Sequence, residues 1–512
     1  MKGTVFSVPI SVAQRGSRSA RDFSCKAEDT KREIKPSEKS DPKATVPPIK
    51  AKVPPPQAKT SPPQAKISVT QANPQTSQAK PPPPQAPPSP QTDGLTFPLP
   101  TFEDISMAWF RIRKGIQQTA LNYSETFSDQ SGCEIYLKCE YLQKTGSFKE
   151  RGARNALLAL SDDAKARGVA AASAGNHALA LAFHGKQLGI PVTVVMPETA
   201  PLTKITKCET LGAKVLKHGS NIAEAAEYAA TFVDEQNLTY INGFDHPDII
   251  AGAGTVGIEI LEELPEVDAI VVPVGGAGLI AGISLAVKKI SPQTQVIGVE
   301  PALCPSFSEA MKAGKPVRVT LPRTTLADGL AVPQVGPHAF AVAKDKVDDL
   351  ITVTEEEVSI AILRLVEGEK LVQEGAGAAG IAALCAGKLP ESLRGKKVCV
   401  ILCGGNIDTP VLGRVIERGL ACDNRLVRFS VVVSDRPGGI LALVSIIHKV
   451  GASIRDITHE RAWLKEGIDQ VEVNMVVETT SLSHRNALSE AIEDAINSDT
   501  HVIERWGDGC AL

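Results

Sequence analysis

The stretch Lys144-Thr-Gly-Ser-Phe-Lys-Glu-Arg-Gly-Ala153 places a single lysine, Lys149, behind Gly-Ser-Phe in a short polar turn. A helix pattern runs on from Arg151 to Leu160. A lone lysine is ordinarily a solvated surface charge. Lysine is also the side chain that condenses with an aldehyde to a Schiff base, provided burial strips its water and lowers its pKa. Which of the two readings holds depends on the company the residue keeps.

Working outward, the chain from Thr101 alternates apolar runs with helix-period segments. Pro191–Pro197, Ala269–Val274, Val296–Val299 and Lys397–Leu402 read as short buried strands. Asn176–Leu188, Thr203–Leu211, Ile222–Asp234 and Ala251–Leu261 read as helices between them. Continuous apolar strands alternating with helices predict parallel sheets covered on both faces. Two turns stand at the ends of such strands. Val274-Gly-Gly-Ala-Gly-Leu279 leads into a helix from Leu279 to Ile290, and Ser173-Ala-Gly-Asn-His-Ala178 opens the helix at Asn176. Glycine-rich turns at helix N-termini expose backbone N–H groups and hold anions. Ser-Ala-Gly-Asn is equally a good capping sequence. A fourth stretch, Ile401-Leu-Cys-Gly-Gly-Asn406, runs a strand into another glycine turn.

Together these four stretches resemble the fold-type II pyridoxal phosphate (PLP) enzymes, and within them the threonine/serine dehydratase branch. The resemblance implies two parallel-sheet α/β subdomains with PLP bound covalently to Lys149. It implies a cofactor site at Phe148, Lys149, Asn176, Gly275, Gly276, Ala277, Gly278, Leu279 and Cys403. Substrate would be held by Ser173, Ala174, Gly175, Asn176 and His177, with His177 read as a packing or capping residue. The family carries glycine where this chain has Ala277; a methyl there narrows the phosphate approach unless the backbone keeps a negative φ. In relatives the position of Cys403 is a serine or cysteine facing the pyridine nitrogen, and a neutral group there makes the ring a weaker electron sink. A buried apolar thiol is the plainer reading of Cys403. Glu374, in Leu371-Val-Gln-Glu-Gly-Ala-Gly377, resembles family sequence close to the cofactor, or serves as a helix cap.

The activity so implied is β-elimination of L-threonine to 2-oxobutanoate and ammonia, and of L-serine to pyruvate and ammonia, with the Lys149 amine as general base. Serine racemisation is the alternative. It needs a second proton carrier, and racemases of this family have serine where this chain has Ala174. A racemase-type metal site would follow Glu300, but Pro-Ala-Leu-Cys-Pro-Ser follows instead, so no metal is expected. A non-catalytic amino-acid sensor is a third reading, and a scaffold using the Pro-rich tail a fourth.

From about Ala421 the texture changes. Strands at Val427–Val433, Ser453–Glu460, Gln470–Glu478 and His501–Trp506 interleave with helices at Ile440–Val450 and Arg485–Asn497. That order is βαββαβ, the ferredoxin-like arrangement. With Asp435-Arg-Pro-Gly-Gly439 at its first turn, the segment resembles the ACT family of amino-acid-sensing domains. The resemblance implies an amino-acid effector site, with Asp435 and Gly438 as candidates, and a homo-oligomer, dimer or tetramer. The expected organisation is therefore 1–96 as a tail, 97–424 as the catalytic domain and 425–512 as the ACT-like domain.

Residues from about 30 to 96 hold about half of the chain's 36 prolines and repeat Pro-Pro-Gln-Ala-Lys at 55–59 and 62–66. Such a segment buries too little apolar surface to fold and is expected to be an extended, disordered tether. Met1–Arg21 carries Lys2, Arg15, Arg18 and Arg21 and no acid, which fits a mitochondrial or plastid transit peptide as well as a disordered tail of a cytoplasmic protein. The net charge of −3 gives no sign of nucleic-acid or membrane-surface partners. The 10 cysteines are scattered without a Cys-x-x-Cys pair, against a zinc site. The uncharged run Ala269–Val287 is broken by Pro273, Gly275, Gly276 and Gly278, against a membrane span. The 41 glycines and many alanines point to close helix packing.

Overall fold

The computed structural model describes residues 95–464, 467–498 and 504–506. All but the last two residues of the expected tail fall outside these limits.

Two open sheets carry the region from Leu121 to Ile401. The larger has six strands in the order Leu121–Tyr123, Glu134–Lys138, Lys397–Ile401, Ala269–Pro273, Gln295–Pro301, Asp349–Val353. Its first pair is antiparallel and the rest are parallel. The smaller is all parallel, in the order Lys214–Lys217, Val192–Met196, Val169–Ala172, Thr239–Tyr240. The central strand Ala269–Pro273 is buried along its whole length. That explains its unbroken apolar sequence, since a strand covered on both faces has no polar side to show. The apolar run Ala269–Val287 is divided into this strand and the helix Gly278–Ile290, and no helix among the described residues is long and apolar enough to cross a membrane.

One helix aligns the site. Pro247–Glu263 begins with proline at its first position and with the His246 ring accepting from the Asp248 N–H at 3.2 Å. Gly252 lies against the backbone of Arg151 and Gly152, in the helix Lys149–Ala159, where a Cβ would stand 2.6 Å from the Arg151 carbonyl. Gly254 lies against Gly282 of Gly278–Ile290, where a Cβ would stand 2.8 Å from the Gly282 carbonyl. Glycine at both contacts lets three helix backbones touch. The helix carrying Lys149 and the helix behind the glycine turn are thereby set on either side of one rod.

Arg151 anchors that arrangement electrostatically. Its Nε and Nη2 donate to Glu140 at 2.7 Å each, and Nη1 and Nη2 donate to Glu259 at 2.7 Å each. Nη1 also reaches Thr255 Oγ1 at 3.2 Å. Lys138 adds contacts to Glu259 and Glu263, both at 3.0 Å, and to the Thr119 carbonyl at 2.8 Å. Lys138, Glu140, Arg151 and Glu259 are fully buried. Burial pushes the Glu140 carboxyl up, but Arg151 outweighs it and holds the pKa below the ordinary glutamate value.

Beyond the helix Thr409–Cys422 a third sheet of four antiparallel strands forms, in the order Ser453–Glu460, Gln470–Glu478, Leu426–Ser434, Glu504–Trp506. With the helices Gly439–Val450 and Leu482–Ser498 it has the expected βαββαβ order. Val471, Val473, Met475 and Val477 are buried in its core with Leu443, Ile447, Leu488 and Ile492. Of the alternate residues of that strand, Gln470, Glu472, Asn474 and Val476 are half-buried and Glu478 is exposed. The last strand covers only Glu504–Trp506 of the expected 501–506, and 501–503 lie outside the described residues.

Candidate active site

Lys149 is the first residue of its helix, two positions earlier than the pattern suggested. The residue is half-buried, but its amine donates inward to the Gly243 carbonyl at 2.5 Å and stands 5.1 Å from the centre of the Phe148 ring. Burial pulls its pKa from the ordinary 10.5 down to about 8, against the pull of Cys403 and Glu374. The positive end of a helix lies at the same place and works in the same direction.

The four stretches singled out in the sequence meet around this amine. The Phe148 N–H donates to the Cys403 carbonyl at 3.1 Å, and Ser147 bridges Gly404. Phe244, next to the Gly243 acceptor, presses on the glycine turn; a Cβ on Gly276 would overlap its ring, and one on Gly278 would collide with its carbonyl oxygen and stand 2.9 Å from its Cα. On the other side a Cβ on Gly243 would stand 3.0 Å from the His177 ring. Asn176 Nδ2 donates to Glu374 Oε1 at 2.7 Å, and Asn176 Oδ1 accepts from Asn406 Nδ2 at 2.9 Å. Asn406 Nδ2 also donates to the Thr145 carbonyl at 2.6 Å, at the head of the lysine turn.

Several expectations change in detail. Ala277 has φ +71°, so the left-handed backbone is held by an alanine, not relaxed to a negative φ. A Cβ there costs roughly 1–2 kcal/mol. Its methyl is buried in the main core, which offsets part of that cost. Leu279 points its side chain into the same core, leaving only its backbone for the turn. Glu374 sits at the N-cap of the helix Gly375–Cys385, yet its side chain makes no capping bond and turns to Asn176 instead. Its pKa is raised to about 7, by burial first and by Asp328 second. His177 donates from Nε2 to the Ile241 carbonyl at 3.0 Å, and burial and the Lys149 charge lower its pKa to about 3. It is therefore a neutral, packed ring. Glu300 spends its carboxylate on the N–H groups of Phe307 and Ser308, at 2.6 Å and 2.9 Å.

Sequence reasoning missed Gly243, Phe244 and Asn406. The signal for the first two was the turn Asn242-Gly-Phe-Asp245 after a strand. Asn242 Oδ1 accepts from both Phe244 N–H and Asp245 N–H at 2.9 Å, which fixes the turn. Asp435 and Gly438 belong to the βαββαβ unit. The Asp435 carboxylate is held by Arg461 through two 2.7 Å bonds, and Gly438 caps the helix Gly439–Val450 at φ +111°.

Comparison with known proteins fits this geometry. The family model described as pyridoxal-phosphate dependent enzyme matches residues 112–404. The chain belongs to the pyridoxal-phosphate dependent enzymes. It is 44% identical over 384 residues to the L-threonine ammonia-lyase of Thermotoga maritima, covering 75% of this chain and 95% of that protein. Among solved structures it is similar to the processed form of threonine deaminase isoform 2 from Solanum lycopersicum. That match has a TM-score of 0.60 and 33% identity, and covers 64% of this chain and 93% of that one. It is also similar to maize serine racemase, at TM-score 0.59 and 33% identity, covering 63% and 98%.

The residues present fit PLP. An aldehyde needs an amine that loses its proton near neutral pH, and Lys149 supplies it. A phosphate needs free N–H groups, and the first turn of Gly278–Ile290 has no preceding carbonyls to bond its own. A pyridine nitrogen that is to stay unprotonated needs a neutral neighbour. Burial pushes the Cys403 thiol far above its ordinary pKa, so it stays neutral. Ser147 Oγ, Thr145 Oγ1, His177 Nδ1 and both amide atoms of Gln373 are buried without a protein partner around the same turns, so the site has polar capacity the fold does not use.

Proposed function

We propose that this chain is an L-threonine ammonia-lyase, converting L-threonine to 2-oxobutanoate and ammonia and L-serine to pyruvate and ammonia; the water lost in the elimination is returned when the released enamine product hydrolyses to the 2-oxo acid. The observation that carries the reading is the Lys149 amine, with its pKa near 8, at the meeting point of four loops in a chain 44% identical to an enzyme of that name.

Lys149 would hold PLP covalently, the turn Gly275–Leu279 its phosphate, and Phe148, Asn176 and Cys403 its ring. When bound, PLP supplies an electron sink for negative charge at the substrate Cα. The chain's own residues do the rest. Lowering the lysine pKa from 10.5 to about 8 raises the neutral fraction at pH 7 by about 300-fold. Lys149 Nζ is thus a competent general base for the Cα proton. Ser173–His177, at the start of the helix Asn176–Leu188, would hold the substrate carboxylate against the helix N-terminus. The neutral His177 takes no proton. Ala174 offers only a methyl on the stretch where a racemase needs a proton carrier, which favours elimination over racemisation. The packed walls of the two sheets limit water around the reacting atoms.

The βαββαβ unit resembles an ACT domain, and its role in this reading is to bind an amino-acid effector near Asp435 and Gly438. Binding there would compete with the Arg461 pair for the Asp435 carboxylate. An oligomer of identical chains accompanies that role.

The test is an assay of 2-oxo acid release from L-threonine and L-serine by the PLP-loaded chain, with and without branched-chain amino acids, alongside D-serine formation. Release of 2-oxobutanoate, abolished in Lys149→Ala, supports the reading. D-serine as the main product, or no 2-oxo acid at all, overturns it.

A further inference from the structure

Two lysines on one helix of the smaller sheet reach across to the larger one. In Leu202–Thr210, Lys204 and Lys207 stand one turn apart. Lys204 Nζ lies 3.5 Å from Asp328 Oδ2, and Lys207 Nζ donates to Asn406 Oδ1 at 3.1 Å. The second contact begins a chain. Lys207 donates to Asn406, Asn406 donates to Asn176, and Asn176 donates to Glu374.

Every link runs the same way. Lysine has only donors, so the Asn406 oxygen must face it. The Asn406 NH2 then faces Thr145 and the Asn176 oxygen, which turns the Asn176 NH2 onto Glu374. Turning either amide over would set donor against donor or oxygen against oxygen. An exposed cation on one side of Asn406 and the Thr145 carbonyl on the other therefore set together the orientation of two amides in the site and the contact made to a buried carboxyl. The same chain reaches Lys149 by a second route, through Thr145 at the head of its turn.

Glu374 is the group that registers this. Burial and Asp328 raise its pKa to about 7, while Asn176, Lys204 and the Asn406 backbone N–H hold it down. Lys149 and Cys403 in turn feel its charge.

We propose that Lys207 is a positioning residue of this site: docked on Asn406, it locks the Asn406–Asn176–Glu374 chain in one polarity and latches the helix Leu202–Thr210 against the catalytic turns. It acts through other residues and touches no reacting atom. An exposed contact of this kind contributes little to folding, so its loss should be felt in the site and not in the stability of the chain.

The experiment compares Lys207→Met, which keeps the stem and removes the donors, with Lys207→Arg, which keeps them. Its kinetic arm rests on the ammonia-lyase reading; its hydrogen-exchange arm, on PLP-loaded protein, does not. For Lys207→Met we expect kcat on L-threonine to fall about three- to tenfold with a smaller change in KM. The limb of the pH profile near 7 should move up by about half a unit to one unit, because weaker donation to Glu374 raises its pKa. Exchange in residues 202–210 should quicken. Lys207→Arg should restore all three. A methionine variant matching the parent in kcat, pH profile and exchange would overturn the latch, as would an arginine variant no better than methionine. If the parent itself released no 2-oxobutanoate, the ammonia-lyase reading would fall, and the exchange comparison would decide the latch by itself.

Discussion

Replacing Arg151 by methionine should destabilise the chain by about 5 kcal/mol, the upper end of what breaking a buried ion pair costs. The magnitude follows from the count of charges and donors. Lys138, Arg151, Glu140 and Glu259 form a balanced set of two cations and two anions, all fully buried. All five guanidinium N–H directions are used, four on carboxylate oxygens and one on Thr255. Methionine fills much of the volume but leaves two carboxylates facing Lys138 alone. Glu140 keeps the Thr119 hydroxyl at 2.6 Å and a longer contact to Gln143. Domains of this kind are stable by only about 5–15 kcal/mol, so the loss would be a large fraction of the whole. The double variant Arg151→Met/Glu259→Gln restores charge balance and should recover part of the loss. Urea unfolding at pH 7 followed by circular dichroism would measure both. The penalty should shrink as pH falls, beginning already above the ordinary glutamate value, because without Arg151 burial raises the carboxyl pKa and protonation removes the uncompensated charge. A single-variant cost below about 2 kcal/mol, or a double variant no more stable than the single, would refute this account of the network.

Two further outcomes follow from the packing and the lysine. In Gly282→Ala the new methyl would stand 2.5 Å from the Gly254 nitrogen, within the contact between Pro247–Glu263 and Gly278–Ile290. Overpacking of about 1–3 kcal/mol should outweigh the gain of up to about 1 kcal/mol in helix propensity, and a raised unfolding midpoint would contradict it. Lys149→Met should stabilise the PLP-free chain at pH 7. The folded amine titrates at about 8 against 10.5 unfolded, so burying its charge costs the full amount below pH 8. That cost fades as pH rises from 8 to 10.5, and the variant's advantage should fade over the same window; an advantage that is flat in pH would contradict the assignment.

Several elements are legible in the order of residues. The lysine turn, the glycine turn behind a wholly apolar strand, the parallel α/β alternation and the βαββαβ order all rest on short-range patterns, and all stand in the fold within a few residues. The helix ends differ: Lys149, read as preceding its helix, opens it, and Ala251–Leu261 extends to Pro247–Glu263. The five-residue π turn Leu365–Glu369, on the path to Glu374, has no periodic signature by which to anticipate it.

What the residue pattern alone determined was which candidate groups the chain offers: an amine at the start of a helix, backbone N–H groups at two helix starts, a thiol at a strand end. Each is a property of a few adjacent residues, and local geometry is enough to specify it. Tertiary structure decided how those groups are tuned. The bond from Lys149 to Gly243 spans 94 positions, that from Asn176 to Glu374 spans 198, and that from Asn406 to Asn176 spans 230. Desolvation and hydrogen-bond polarity depend on what is packed nearby in space, so the lowered lysine pKa, the raised Glu374 pKa and the single direction of the amide chain exist only once both sheets have closed around them.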